Sequence, residues 1–210
     1  MMATRSATLV DALSARGDAS TALATRVAAV LFFTVFTAAA AQISIPLPFT
    51  QVPFTFQPTV VLLGGLMLGS RLGAASQFLY LAAGIAGLPV FAASLSLPPG
   101  ALRLLGPTGG YLMAYPLAAF LVGALAQRGF DRRYVTSVLA MVVGLVVIYG
   151  CGVLWLSRTL PVGAAADLTA AFAAGVAPFL LADLVKLAGA AGIAPGLWRL
   201  LGAEPRAQQR

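Results

Sequence analysis

Asp183 and Lys186 stand three residues apart in Pro-Phe-Leu-Leu-Ala-Asp-Leu-Val-Lys, residues 178–186, a stretch otherwise apolar enough to sit in lipid. On a helix that spacing puts acid and base on one face. A charge near the centre of a bilayer costs roughly 2.5–3.5 kcal/mol, so such a residue faces a cavity and marks a binding or transport site. A carboxylate can accept two N–H bonds, and an ammonium can donate to a carbonyl or carboxylate. Together they suit a small polar, amide-like or acidic ligand. The blander alternative is a pair that only neutralises itself. A protein that needed only stability would gain little from that over apolar packing.

Other polar groups fall where a ligand can meet them. Gly-Pro-Thr-Gly-Gly-Tyr, residues 106–111, opens an apolar span. Thr108 is the natural cap there, and Gly109 and Gly110 permit close backbone approach to a ligand; a plain turn before a helix is the alternative. Gln57 and Thr59 sit where a proline-rich segment enters another span, as ligand contacts or as helix caps. Tyr80, Tyr111, Tyr115 and Tyr149 lie within spans and offer apolar bodies with polar tips, although helix packing accounts for any one of them alone. Cys151, flanked by Gly150 and Gly152, reads as a small packing residue.

The elements that carry these residues are set by composition. Hydrophobic residues make up 60% of the 210 and charged ones 9%, and the mean hydropathy is +0.94. The expected class is an all-α integral membrane protein. There is no histidine, one cysteine, and six acids, five of them outside the spans. No metal site, cofactor or disulfide is expected, and no Gly-x-x-x-x-Gly-Lys-Ser/Thr loop is present for ATP. An intramembrane enzyme is disfavoured because paired carboxylates and nucleophile–base spacings are missing. A purely structural subunit would leave Asp183 and Lys186 unexplained.

Residues 1–23 read as a cytoplasmic tail, mobile or with a short surface helix; residues 24–200 as a six-helix transmembrane domain; residues 201–210 as a second cytoplasmic tail. The spans are expected at about 24–43, 59–68, 72–88, 106–127, 135–156 and 178–199. Ala38-Ala-Ala-Ala-Gln42 mimics a signal-peptidase site, but the tail before it is long for a signal peptide, and the first span is expected to be retained. Between residues 46 and 58, four prolines forbid a regular helix, and apolar backbone of that kind survives at membrane depth only when buried or lining a cavity. It is either an ordered loop or a pocket wall. A short helix is expected at 168–177, across the mouth, and Trp155 and Trp198 near the membrane interfaces.

Orientation follows from the basic residues. With both termini inside, ten arginines face the cytoplasm and two, Arg103 and Arg158, lie outside; with Lys186 these make up the 13. The positive-inside rule is obeyed, and the +7 net charge is a topology signal rather than a nucleic-acid footprint. A helix from Pro178 sets Asp183 in its second turn, so its site opens outward. Ala24 and Ala28 offer a small-residue face for a partner helix.

Taken together, these residues resemble the BioY family, the biotin-specific S components of energy-coupling-factor vitamin transporters. The resemblance rests on residues 45–57 (Ile-Pro-Leu-Pro-Phe-Thr-Gln-Val-Pro-Phe-Thr-Phe-Gln), Leu-Gly-Ser-Arg-Leu-Gly from 68, Gly-Leu-Pro-Val-Phe from 87, the 106–111 motif and Asp183-Leu-Val-Lys186, in family order over about residues 25–200. It implies six helices and an outward-facing pocket that captures biotin with high affinity. Partners are then a transmembrane coupling subunit and two ATPases, with Ala24 and Ala28 as docking face and a homo-oligomer left open. Carried over by position, Gln57 and Thr59 belong to the first loop. Gly109, Gly110 and Tyr111 form the loop before the fourth helix, and Asp183 accepts the ureido N–H groups while Lys186 supplies positive charge or binds an acceptor. An S component for another small vitamin is the alternative. Two positions depart from the family pattern: residues 92–100 lack its glycine-rich, asparagine-bearing character, and Leu112 stands where some relatives are basic. Arg103 is then the candidate partner for the ligand carboxylate.

Overall fold

A computed structural model of the chain describes residues 8–15, 17–94, 97–159 and 167–201. Expectations for both chain ends, and for most of the loop between Arg158 and Asp167, lie outside the described residues, Arg5, Arg16, Arg206 and Arg210 among them.

The first helix, α1 (Leu9–Ser14), is held by a reciprocal cap in which the Asp11 N–H donates to Thr8 Oγ1 and the Thr8 N–H to Asp11 Oδ2. Leu9 and Val10 are buried in the core, which makes this part of the tail a packed element. Helix α2 (Ala19–Gln42) starts five residues before the expected span because Asp18 caps it, accepting from the Thr21 N–H at 2.9 Å.

The proline-rich segment forms a two-residue antiparallel hairpin, β1 (Ser44–Ile45) against β2 (Phe54–Thr55), pairing Ser44 with Thr55 and Ile45 with Phe54. Pro46 and Pro53 follow and precede the paired residues and lack an N–H, so the ladder stops there. Helices α3 (Gln57–Leu68) and α4 (Ser70–Ile85) are joined by Gly69 alone, at φ 83°, a left-handed turn that favours glycine. A one-turn helix α5 (Leu102–Leu105) precedes α6 (Gly109–Ala126), and α7 (Tyr134–Thr159), α8 (Leu168–Gly175), α9 (Ala177–Ala191) and α10 (Ile193–Leu200) complete the chain.

Helices α3, α4, α6 and α7 form the centre of the bundle, and small residues let them cross closely. A Cβ on Gly65 of α3 would lie 2.5 Å from the Ala119 carbonyl oxygen of α6, and one on Gly123 would lie 2.2 Å from the Gly69 backbone. Helix α2 is tied to α4 by polar bonds inside the apolar layer: Thr34 donates to the Ser76 carbonyl at 2.9 Å and Gln77 to Thr37 Oγ1 at 3.3 Å.

Among the described residues, four segments are long and apolar enough to cross a membrane: Ala19–Gln42, Gly109–Ala126, Tyr134–Thr159 and Ala177–Leu200. The other two expected spans are helical but shorter, 12 residues in α3 and 16 in α4. The last span, expected as one rod, divides at Gly192 into α9 and α10. Pro195 accounts for the division, since it cannot bond the Ala191 carbonyl and its ring clashes there. Trp198 is buried and donates to Asp131 Oδ2 at 2.7 Å in the turn between α6 and α7.

Candidate functional site

The hairpin, the N-terminal ends of α3, α6 and α9, the C-terminal half of α7, the C-terminal end of α8, and residues 91–94, 97, 103, 107 and 108 of the connection before α6 line a cavity of about 290 Å³ at one end of the bundle. Its walls mix apolar groups (Leu47, Val52, Phe91, Leu112, Phe179) with a few polar ones, the composition of a small-molecule site. Of the two readings left open for residues 46–58, this structure supports the pocket wall: Pro46, Thr50, Gln51, Pro53, Thr55 and Gln57 all line the hollow.

Asp183 reaches the cavity from α9 and is 5% exposed. Its Oδ2 accepts from the Tyr149 hydroxyl of α7 at 2.6 Å, and its Oδ1 is 2.5 Å from Lys186 Nζ. Each oxygen keeps a lone-pair direction beyond these bonds, so the carboxylate can still accept N–H groups from a ligand. Lys186 does not line the cavity; its ammonium turns to the hairpin and donates to the Thr55 carbonyl at 2.6 Å.

Arg103, on α5, stands on the wall as the second fixed charge, 9% exposed, with Nε donating to the Pro98 carbonyl at 3.1 Å. Burial pulls its pKa below the usual arginine value, with the Tyr80 hydroxyl acting the other way, and the guanidinium stays cationic. The cavity is thus bipolar, with an acid on α9, a base on α5 and apolar surface between.

Of the residues singled out in the sequence, Gln57, Thr108, Tyr111 and Asp183 line the cavity, while Thr59, Tyr80, Gly109, Gly110 and Lys186 do not. Tyr80 orients a neighbour: its hydroxyl accepts from Gln57 Nε2 at 2.6 Å and donates to the Val90 carbonyl at 3.1 Å. Gly109 and Gly110 serve packing rather than ligand approach. A Cβ on Gly109 would overlap the Leu104 carbonyl, and one on Gly110 would lie 2.3 Å from Trp155 Cβ on α7. Thr108 occupies the cap position of α6, but its backbone is in the right-handed helical region and its side chain makes no capping bond. A capping residue needs extended backbone to turn its oxygen onto the helix, so here the hydroxyl is left for the cavity wall. Thr59 is buried on α3.

Helix α8 is the short helix expected after residue 168, and its last residue, Gly175, lines the cavity. Its last carbonyls are clasped from both sides, Ala174 by the Thr50 hydroxyl at 2.8 Å and Gly175 by the Tyr111 hydroxyl at 3.0 Å. Tyr115 and Tyr149 also line the hollow, as do Phe91 and Phe179, which sequence reasoning missed because an apolar side chain in an apolar helix carries no signal of its own.

Membrane-length apolar helices around a bipolar, ligand-sized hollow define an integral membrane protein with a built cavity at one end. Residues 9–203 match the BioY family, and the chain belongs to it. It is 41% identical over 174 residues to a probable biotin transporter BioY of Pyrococcus horikoshii, covering 83% of this chain and 96% of that one. It is 39% identical over 168 residues to the biotin transporter BioY of Thermotoga maritima, covering 80% and 92%. The fold is shared with the crystal structure of an S-component for biotin from an ECF-type ABC transporter, at a TM-score of 0.73 and 24% identity over 84% of this chain and 92% of the other.

Proposed function

We propose that this protein captures biotin and admits it across the cytoplasmic membrane as the substrate-binding S component of an ATP-driven vitamin transporter. The observation that carries the reading is the bipolar cavity: Asp183 at one wall and Arg103 at another, with aromatic and aliphatic surface between them. Biotin has a matching layout, with a ureido ring that donates N–H bonds, an apolar ring and chain, and a terminal carboxylate. In the bound state Asp183 accepts the ureido N–H groups, Lys186 compensates the charge on Asp183, and Arg103 pairs with the carboxylate. Gln57, Thr108 and Tyr111 supply the remaining polar wall, while Thr59, Tyr80, Gly109 and Gly110 support it from behind.

In this reading α3 and α4 cross the membrane with the four longer segments, giving six helices, and both termini face the cytoplasm with the cavity opening outward. The exposed Ala24 and Ala28 face of α2 docks a transmembrane coupling subunit, which links the protein to its ATPases. The chain is a carrier subunit rather than an enzyme, and the BioY names of its relatives favour biotin over another small vitamin.

The test is equilibrium binding of radiolabelled biotin to purified protein. Tight binding is expected in the wild type, with a loss of roughly 10–100-fold in Asp183→Asn, the range for a hydrogen bond to a charged group. Absence of binding by folded wild-type protein would defeat the assignment of substrate.

A further inference from the structure

A second hollow of about 190 Å³ adjoins the candidate site, between the C-terminal end of α2 and the connection that follows α4. Phe91, Ala93 and Arg103 line both hollows, so the two meet at these three side chains. Gln42, Leu88, Pro89 and Pro99 complete the second, and among the described residues no acid lines it. The shared wall is held from several sides. Gln42 Nε2 donates to the Pro89 carbonyl at 3.2 Å, and the Tyr80 hydroxyl to the Val90 carbonyl at 3.1 Å. The Phe91 ring meets Tyr80 edge to face at 5.4 Å and fills the space that a Cβ on Gly84 would need. Arg103 is fixed by its bond to the Pro98 carbonyl. Leu88, Pro89 and Pro99 are exposed, so the far side of this hollow is open.

We propose that the protein also accepts biotin joined through its carboxyl group to a primary alkylamine, with the chain of the amine lying in the second hollow. The inference rests on the reading of the main cavity as a biotin site in which Arg103 takes the carboxyl end. That reading sets the carboxyl carbon at the junction of the two hollows, where Ala93 is the smallest side chain. Conversion of the carboxylate to an amide removes the charge but keeps a carbonyl oxygen, to which a guanidinium with five N–H donors still donates. The new amide N–H needs an acceptor. Gln42, whose nitrogen is engaged on Pro89, keeps its side-chain oxygen for that bond. Beyond the amide, the chain meets Leu88, Pro89, Phe91 and Pro99. The volume is about six times the roughly 30 Å³ share of one water, enough for a short alkyl chain. A charged far end, as in a lysine acylated on its side-chain nitrogen, leaves through the open side. A site for the free acid alone would need no hollow behind its base.

Competition against radiolabelled biotin by unlabelled biotin, the primary amide of biotin and N-butyl biotinamide tests this on purified full-length protein. The primary amide is the reference, since it shares the uncharged end and lacks the chain. N-butyl biotinamide is expected to bind at least about tenfold more tightly than the primary amide, the scale of about two buried methylene groups. Leu88→Trp and Pro99→Trp each fill the second hollow from a residue that does not line the main cavity. Both are expected to erase that advantage while biotin and the primary amide bind as in the wild type. Should one variant not fold, the other reads the same change. Equal or weaker binding of the butyl amide by the wild type overturns the proposal, and so does an advantage that survives in the folded variants. Wild-type protein that binds biotin and gains nothing from the chain defeats this inference alone. Folded protein that binds no radiolabelled biotin defeats the substrate reading and, with it, this inference.

Discussion

The Tyr149 hydroxyl donates to Asp183 Oδ2 at 2.6 Å and so joins α7 to α9 through a buried acid. With Lys186 on the other oxygen, the carboxylate is held from two sides in one orientation, which leaves its remaining lone pairs aimed by the protein rather than by the ligand. Pre-orientation of this kind reduces the ordering cost of binding.

Tyr149→Phe removes that donor while keeping the ring. Biotin affinity is expected to fall roughly tenfold, in line with a hydrogen bond to a charged group. Titration with radiolabelled ligand reads the change, and an unaltered dissociation constant would show that Tyr149 does not set the acid.

Arg103 is expected to discriminate the two ends of the ligand. Arg103→Gln should weaken biotin by about 10–100-fold, as loss of a charge-assisted pair predicts, and leave the neutral biotin amide nearly unaffected. An equal loss for both ligands would assign Arg103 to structure instead of carboxylate recognition.

Asp131 gives the bundle a pH dependence outside the spans. It is fully buried, and burial raises its pKa above the ordinary 3.8, opposed by the Trp198 N–H and by Arg132. Below 3.8 the folded and unfolded chains both hold the proton and no cost arises. As pH rises through the interval between 3.8 and the raised folded value, the unfolded chain releases its proton first, so stability falls; above that interval the penalty is constant. Asp131→Asn keeps an acceptor for Trp198 and removes the titration. Melting temperatures of the variant are therefore expected to gain on the wild type from acidic to neutral pH. A difference independent of pH would refute this origin.

The exposed stripe of α2 tests the partner assignment. Ala24 and Ala28 face outward beside Leu23, Val27 and Leu31. Ala24→Leu/Ala28→Leu is expected to abolish co-purification with the coupling subunit while biotin binding by the isolated protein is unchanged, because the stripe lies away from the cavity. Retained co-purification would place docking elsewhere.

Much of this was legible in the order of residues. Apolar spans punctuated by glycine and proline mark the helices, since backbone in lipid has few alternatives. Asp183 is the only acid inside an expected span, and its burial cost points to a cavity wall, with a pair that only neutralises itself as the alternative. Prolines between 46 and 58 excluded a regular helix and left two readings, an ordered loop or a pocket wall, between which only the folded chain decides.

What sequence could not supply are relations between distant residues. Lys186 looks like a ligand contact beside Asp183, yet its carbonyl partner, Thr55, lies 131 positions away and becomes a neighbour only when the hairpin folds onto α9. Gly109 and Gly110 suit ligand approach equally well until α5 packs against the first and α7 against the second. Tyr149 is one tyrosine among several, and only the crossing of α7 with α9 sets its hydroxyl on the acid. Local composition decides which segments enter the membrane, because solvation acts residue by residue. Which side chains then meet in the cavity is decided by packing, which acts between segments far apart in the chain.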